Sequence, residues 1–194
     1  MKMPLRVLVL AIAMAFISAV GATASVAQTK KKLKRCKDGE VTSVVPVKYV
    51  EGKNLPFMIS ASLTGSAGNA EAGLGWMAHR RLGNCLACHQ ITDVEKLAAK
   101  SPRIPVKALN GKTSKQPLAV HGKIGPTLDG VASRYTAGEL RMLIVNPKKA
   151  FPETIMPAFH RNKGFTRVYP DCKDKTILSA EQVEDVLAFL KTLK

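Results

Sequence analysis

Gly83-Asn84-Cys85-Leu86-Ala87-Cys88-His89 is the stretch on which the fold turns. Two cysteines three positions apart can add across the two vinyl groups of one porphyrin, giving two thioether bonds. The adjoining histidine then lies beneath the ring and offers a nitrogen to the iron. A Cys-x-x-Cys pair alone fits a redox dithiol or half of a zinc site equally well. The histidine that follows, together with an export signal, points to one covalent haem c on Cys85 and Cys88 with His89 as proximal ligand. Zinc would want a second ligand pair at short spacing, and the remaining cysteines, Cys36 and Cys172, are far away in sequence.

Towards the N-terminus the export signal is plain. Lys2 and Arg6 form a basic start, 7–20 is apolar, and small residues follow. Ser25-Val26-Ala27 and Ala22-Thr23-Ala24 both fit a small-x-small cleavage pattern, and a cut after Ala27 is favoured. The apolar stretch falls short of the about 20 residues a spanning helix needs, and no later segment is apolar enough. The expected product is therefore exported, periplasmic and not membrane-spanning. The 194 residues divide into a signal peptide at 1–27, a basic N-terminal extension and linker at 28–68, and a haem domain at 69–194.

The formal net charge is +16, and loss of Lys2 and Arg6 from the 30 basic residues leaves 28 against 14 acidic ones, or +14. Such a field favours acidic partners and anionic small molecules, and it speeds encounter without dictating fold. Nucleic acid is not an expected partner for an exported haem protein with few aromatics. Residues 30–37, Lys-Lys-Lys-Leu-Lys-Arg-Cys-Lys, read as a solvated start of the mature chain or as a docking arm for an acidic partner. The β-branched run 41–50, with Pro46, reads as extended, and the small polar stretch 60–68 as a linker. Cys36 and Cys172 make an even pair in an oxidising compartment, so a disulfide between them is expected; pairing with a partner subunit is the alternative.

The rest of the chain reads as helical. Asn69 can cap a helix over 70–82 that Gly83 closes, and Gly73 and Gly75 within it imply close approach of another backbone. Thr136 with Glu139 forms a capping box, Leu140, Leu143 and Ile144 share one face, and Pro147 ends that helix. Ser179 with Gln182 opens the last helix, Leu178 can staple to Val183, and Val183, Val186, Leu187, Leu190 and Leu193 form its apolar stripe.

The iron needs a second ligand or an open site. Met156 is best placed, in Thr154-Ile155-Met156-Pro157-Ala158-Phe159, where the proline fixes the loop and Phe159 can wall the haem edge. A thioether is a soft, neutral ligand that stabilises ferrous iron and raises the reduction potential. His121 and His160 compete as loop histidines, Met142 reads as core, and His79 as an exposed helix residue.

The order helix, haem motif, loop, helix, loop, C-terminal helix is similar to that of class I cytochromes c, from about residue 69 onward. The resemblance implies a mainly α fold completed by the porphyrin. It implies further that Gly125-Pro126-Thr127-Leu128 packs on the proximal side, the Pro126 carbonyl accepting a hydrogen bond from His89. A narrower likeness covers several blocks in order: the haem motif, 124–135, Leu140-Arg141 with Asn146-Pro147, and 154–159 resemble the SoxX family of monohaem cytochromes. That family implies an electron-accepting subunit of a SoxAX-type enzyme, which oxidatively joins thiosulfate to a cysteine of the SoxYZ carrier. The chemistry would take place on a SoxA-like haem subunit, and a small cytochrome c would take the electrons onward. This chain shows no set of nucleophile, base and orienting residue of its own, so no catalytic residue is assigned to it. A free-standing periplasmic electron carrier and a haem-based ligand sensor are the competing readings.

Overall fold

Thr136 and Ser179 start the two helices that frame the molecule, and both do so by the same local device. In the computed structural model, which describes residues 44–107, 112–118 and 122–194, each side chain accepts the N–H of the third residue on. Glu139 and Gln182 reach back to the cap N–H, which completes both capping boxes. The first helix of this pair, α4, runs Ala137–Val145, and the second, α5, runs Ala180–Leu190. Before them come β1 (Val50–Glu51), β2 (Phe57–Met58), α1 (Ala70–Ala78), α2 (Thr92–Lys100), β3 (Arg103–Lys107), β4 (Thr113–Pro117) and the single-turn α3 (Val131–Arg134). Short 3₁₀ turns lie at Cys85–Ala87, Pro147–Lys149 and Pro170–Cys172.

Helices α1 and α5 cross at glycine. A Cβ on Gly73 would overlap the carbonyl oxygen of Asp185, so the absent side chain sets how closely the two backbones approach. Gly75 meets the Val106 side chain instead of a backbone. Asp185 locks the crossing, accepting from Asn69 N–H at 2.7 Å and from Trp76 Nε1 at 3.0 Å. Around it Trp76, Met77, Leu86, Ile91, Leu140, Met142, Val183 and Leu187 are buried in one cluster.

Helix α1 stops at Ala78, a turn short of the expected Leu82. His79 leaves helical geometry and the chain doubles back, with Leu82 and Asn84 N–H both donating to the His79 carbonyl. Gly83 packs straight onto the Trp76 carbonyl, so the returning chain occupies the place of the next helical turn. The expected loop between His89 and Gly125 also carries more order than its sequence announced. It contains α2 and the antiparallel hairpin β3–β4, in which Arg103 pairs with Pro117 and Lys107 with Thr113.

Residues 44–66 form a strap laid over α4 and α5, and buried side chains hold it at four places. His160 Nε2 accepts from Val45 N–H at 3.0 Å. Glu139, fully buried, accepts from the N–H groups of Asn54 and Leu55, from Asn54 Nδ2, and from both the N–H and hydroxyl of Thr136. Arg141 donates to the Ile59 carbonyl at 2.7 Å and forks onto Glu184 at 2.7 and 3.0 Å. Glu184 accepts in turn from Leu63 N–H at 2.9 Å. The stretch read as a linker is thus tied to the core through the Ser60 carbonyl, which accepts from Arg141 at 3.3 Å, and through Leu63. Of the run 41–50 read as extended, Val50 alone is in a strand, opposite Met58 in the short β1–β2 pair; 44–49 form no strand and 41–43 lie outside the described residues. Residues 1–43, with the signal, the basic run 30–37 and Cys36, lie outside the described residues. Among the described residues no helix is long and apolar enough to cross a membrane.

Candidate haem-attachment site

The haem motif folds as one tight turn. Asn84 adopts a left-handed conformation at φ 48°, and a 3₁₀ turn covers Cys85–Ala87. Cys88 and His89 N–H both return to the Cys85 carbonyl, at 3.1 and 2.9 Å. Leu86, 2% exposed, plugs the turn into the core. Cys85 and Cys88 are both unpaired thiols. Desolvation pushes the Cys85 thiol up to about 12 despite a lowering backbone hydrogen bond, and Cys88 nearby adds to the rise. The unattached Cys85 is therefore a neutral thiol near neutral pH.

The proximal loop is built against this turn. Gly125 N–H donates to the Cys88 carbonyl at 2.8 Å and Gly122 N–H to Leu86 at 3.1 Å. A Cβ at Gly122 would overlap the Ala87 carbonyl oxygen, so the loop lies directly on the motif. Residues 127–134 staple it further: Thr127 Oγ1 donates to the Gln90 carbonyl, and Arg134 bonds the carbonyls of Thr127 and Asp129. Asp129 accepts from Thr92 Oγ1 at 2.6 Å and Thr92 N–H at 2.9 Å. Those bonds, the Thr92 hydroxyl foremost, hold its carboxyl below the usual range.

His89 Nδ1 lies 2.7 Å from the Pro126 carbonyl oxygen. A carbonyl only accepts, so Nδ1 carries a proton, and of the two neutral tautomers this bond selects the one whose lone pair is on Nε2. His160 makes the instructive contrast. It is 1% exposed, donates from Nδ1 to the Leu178 carbonyl at 2.9 Å, and accepts Val45 N–H at Nε2. Both of its ring nitrogens are taken, so it offers no lone pair to iron. His160 was a competitor in the sequence reading, and the structure makes it a bridge. His79 ends α1, where its Nδ1 accepts Arg81 N–H at 3.3 Å. Met142 is fully buried core, and His121 lies outside the described residues.

Met156 is half-buried against the core in the loop after α4. Its N–H donates to Thr154 Oγ1 at 3.2 Å, while Lys148 Nζ holds the Thr154 carbonyl at 2.7 Å. Phe159 N–H returns to the Ile144 carbonyl at 3.1 Å, anchoring the far end. Cys172 takes part in a disulfide, while its expected partner Cys36 is outside the described residues. The donor set fits a porphyrin bound through two thioethers. Two free thiols share one turn, the His89 imidazole is held through Nδ1, and Gly125 leaves the ring its space. Among the described residues no three His, Cys, Asp or Glu side chains cluster as metal ligands.

Over residues 79–194 the chain matches the family model for cytochrome c. The protein belongs to the cytochrome c family and carries one covalently attached haem c. Among solved structures it is similar to the crystal structure of SoxXA from P. pantotrophus, with 37% sequence identity and a TM-score of 0.59. That match covers 79% of this chain and 98% of the other, which makes this a SoxX-like cytochrome. The comparison with curated proteins gives no match.

Proposed function

We propose that the protein is the electron-accepting subunit of a SoxAX-type enzyme. In this reading a SoxA-like haem partner oxidatively links thiosulfate to a cysteine of a SoxYZ-like carrier. Electrons then pass through this chain to a small cytochrome c. The observation that carries the proposal is the 37% identity over 98% of a SoxXA chain. The bound haem supplies reversible one-electron redox chemistry.

The chain's own residues orient and insulate it. Cys85 and Cys88 would hold the haem through their sulfurs, His89 would offer Nε2 while the Pro126 carbonyl fixes its tautomer, and Met156 would supply a thioether. With both His89 and Met156 as ligands the iron would have no position left for substrate, which favours electron transfer over ligand sensing. The signal pattern at 1–27 supports a periplasmic mature chain, whose +14 charge would steer acidic partners and the thiosulfate dianion, weakening as salt rises. Cys36 pairs with Cys172.

The test is reconstitution. The purified holoprotein is mixed with a SoxA-like subunit, a SoxYZ-like carrier, thiosulfate and an acceptor cytochrome, whose reduction is followed spectroscopically. Turnover should require this chain, and His89→Ala should stop it. Full turnover by the SoxA-like partner alone would leave the free-standing carrier as the better reading.

A further inference from the structure

The segment 147–160, which presents Met156, touches the N-terminal strap at both of its ends. At its start Lys149 Nζ lies 5.0 Å from the centre of the Tyr49 ring and 5.8 Å from that of Phe57. Those two rings meet edge to face at 6.5 Å. At its end the buried His160 takes Val45 N–H on one nitrogen and gives a proton to the Leu178 carbonyl with the other. Between these ends Met156 is held by bonds inside its own loop, and its neighbour Ile155 is 80% exposed. The strap itself is fixed to the helices by Glu139, Arg141 and Glu184.

A loop samples a volume set by how firmly its ends are held, and a neutral thioether is easily displaced from iron when its loop is slack. We infer that the strap is a positioning element for Met156, with His160 as its tether. The inference rests on the Met156 ligation proposed above. His160 touches no reacting atom; it acts by holding the end of the ligand loop at Val45.

Two substitutions in the full holoprotein test this. Val45→Pro deletes the N–H that His160 accepts, in a partly exposed strap, and leaves the imidazole in place. His160→Ala removes both bonds, and His160→Gln restores a donor and an acceptor. The readouts are the weak far-red band of sulfur-to-iron ligation against temperature, the far-UV dichroism of the same samples, and the reduction potential. The expected result is that Val45→Pro loses the band at a lower midpoint than wild type while the dichroism midpoint moves less. The potential should fall with the weakened thioether, and His160→Gln should recover part of the loss seen in His160→Ala. If band and dichroism midpoints fall together, or if neither moves, the tether is only structural or idle and the inference is overturned. A wild-type holoprotein without the band, or a Met156→Ala variant that keeps it, overturns the ligation itself and the inference with it. If His160→Ala does not fold, Val45→Pro decides alone.

Discussion

A Cβ on Gly125 would lie 2.7 Å from Nδ1 and 3.0 Å from Nε2 of His89, inside the ring's own van der Waals envelope. The glycine is the space in which the imidazole stands. Gly125→Ala should push the ring away from the Pro126 carbonyl and lower haem loading severalfold. In the fraction that still loads, the loss of that hydrogen bond makes the imidazole less basic, so the reduction potential should rise. Haem content by absorbance and potential by spectroelectrochemistry check both parts.

Gly73→Ala should destabilise, against the usual sign for a helix interior. Helix propensity alone would give about 1 kcal/mol in favour of alanine. Here the new Cβ overlaps the Asp185 carbonyl oxygen and lies 2.6 Å from its carbon. Forcing α1 from α5 by that margin costs about 1–3 kcal/mol or more. Denaturant unfolding that shows a stability gain would refute the close crossing.

Glu139 makes the strap acid-labile. Desolvation raises its pKa, but the hydrogen bonds from Thr136, Asn54 and Leu55 outweigh it and bring the carboxyl from 4.5 down to about 2. A depressed folded-state pKa means stability that is present above the unfolded value and lost as pH falls toward the folded one. The stability gap between wild type and Glu139→Gln should therefore be widest above about pH 5 and close as the pH approaches about 2. A gap that does not change with pH in this window would contradict the assignment.

Arg141 and Glu184 form a buried pair with two contacts, at 2.7 and 3.0 Å. Glu184→Ala strands the guanidinium and also frees Leu63 N–H, so unfolding should show a loss of about 3–5 kcal/mol. Replacing both partners, Arg141→Met with Glu184→Leu, should recover much of it, because neither charge is then left unpaired. A double variant as weak as the single one would mean that the strap contacts of Arg141 dominate.

Peptide mapping without reductant should recover one peptide joining Cys36 to Cys172. Closure of so long a loop is worth roughly 4–5 kcal/mol on the chain-entropy model, an upper figure. Cys172→Ser should lower the thermal midpoint accordingly. Free Cys36 thiol in oxidised wild-type protein would rule the pairing out.

What could be read from sequence was local. Thr136 with Glu139 and Ser179 with Gln182 announce helix starts because both halves of each device lie three residues apart. The Cys85-to-His89 spacing is equally self-contained. Helix α2 escaped because Ile91 at its cap makes no side-chain bond and Val94 is its single buried residue. The hairpin is hard to read because β3 contains Pro105 and because β4, Thr-Ser-Lys-Gln-Pro, has no apolar alternation. Nothing in 44–66 marks it as a strap, since its anchors lie about a hundred residues on and read in isolation as ordinary helix charges. His160 reads as a loop histidine for the same reason. Its burial depends on Val45 and Leu178, which no local pattern connects.

The strap has a consequence for the order of events during biogenesis. Val45 and its acceptor are 115 residues apart, and Leu63 and Glu184 are 121 apart. A chain delivered N-terminus first presents the strap long before the side chains it needs exist beside it. Contacts of such separation form late, after the local turns and helices. Cys85 and Cys88, by contrast, sit in a turn closed within five residues. The turn that carries both thiols can therefore take shape while the strap is still unseated. Seating of the strap then joins the first described residues of the chain to side chains near its end.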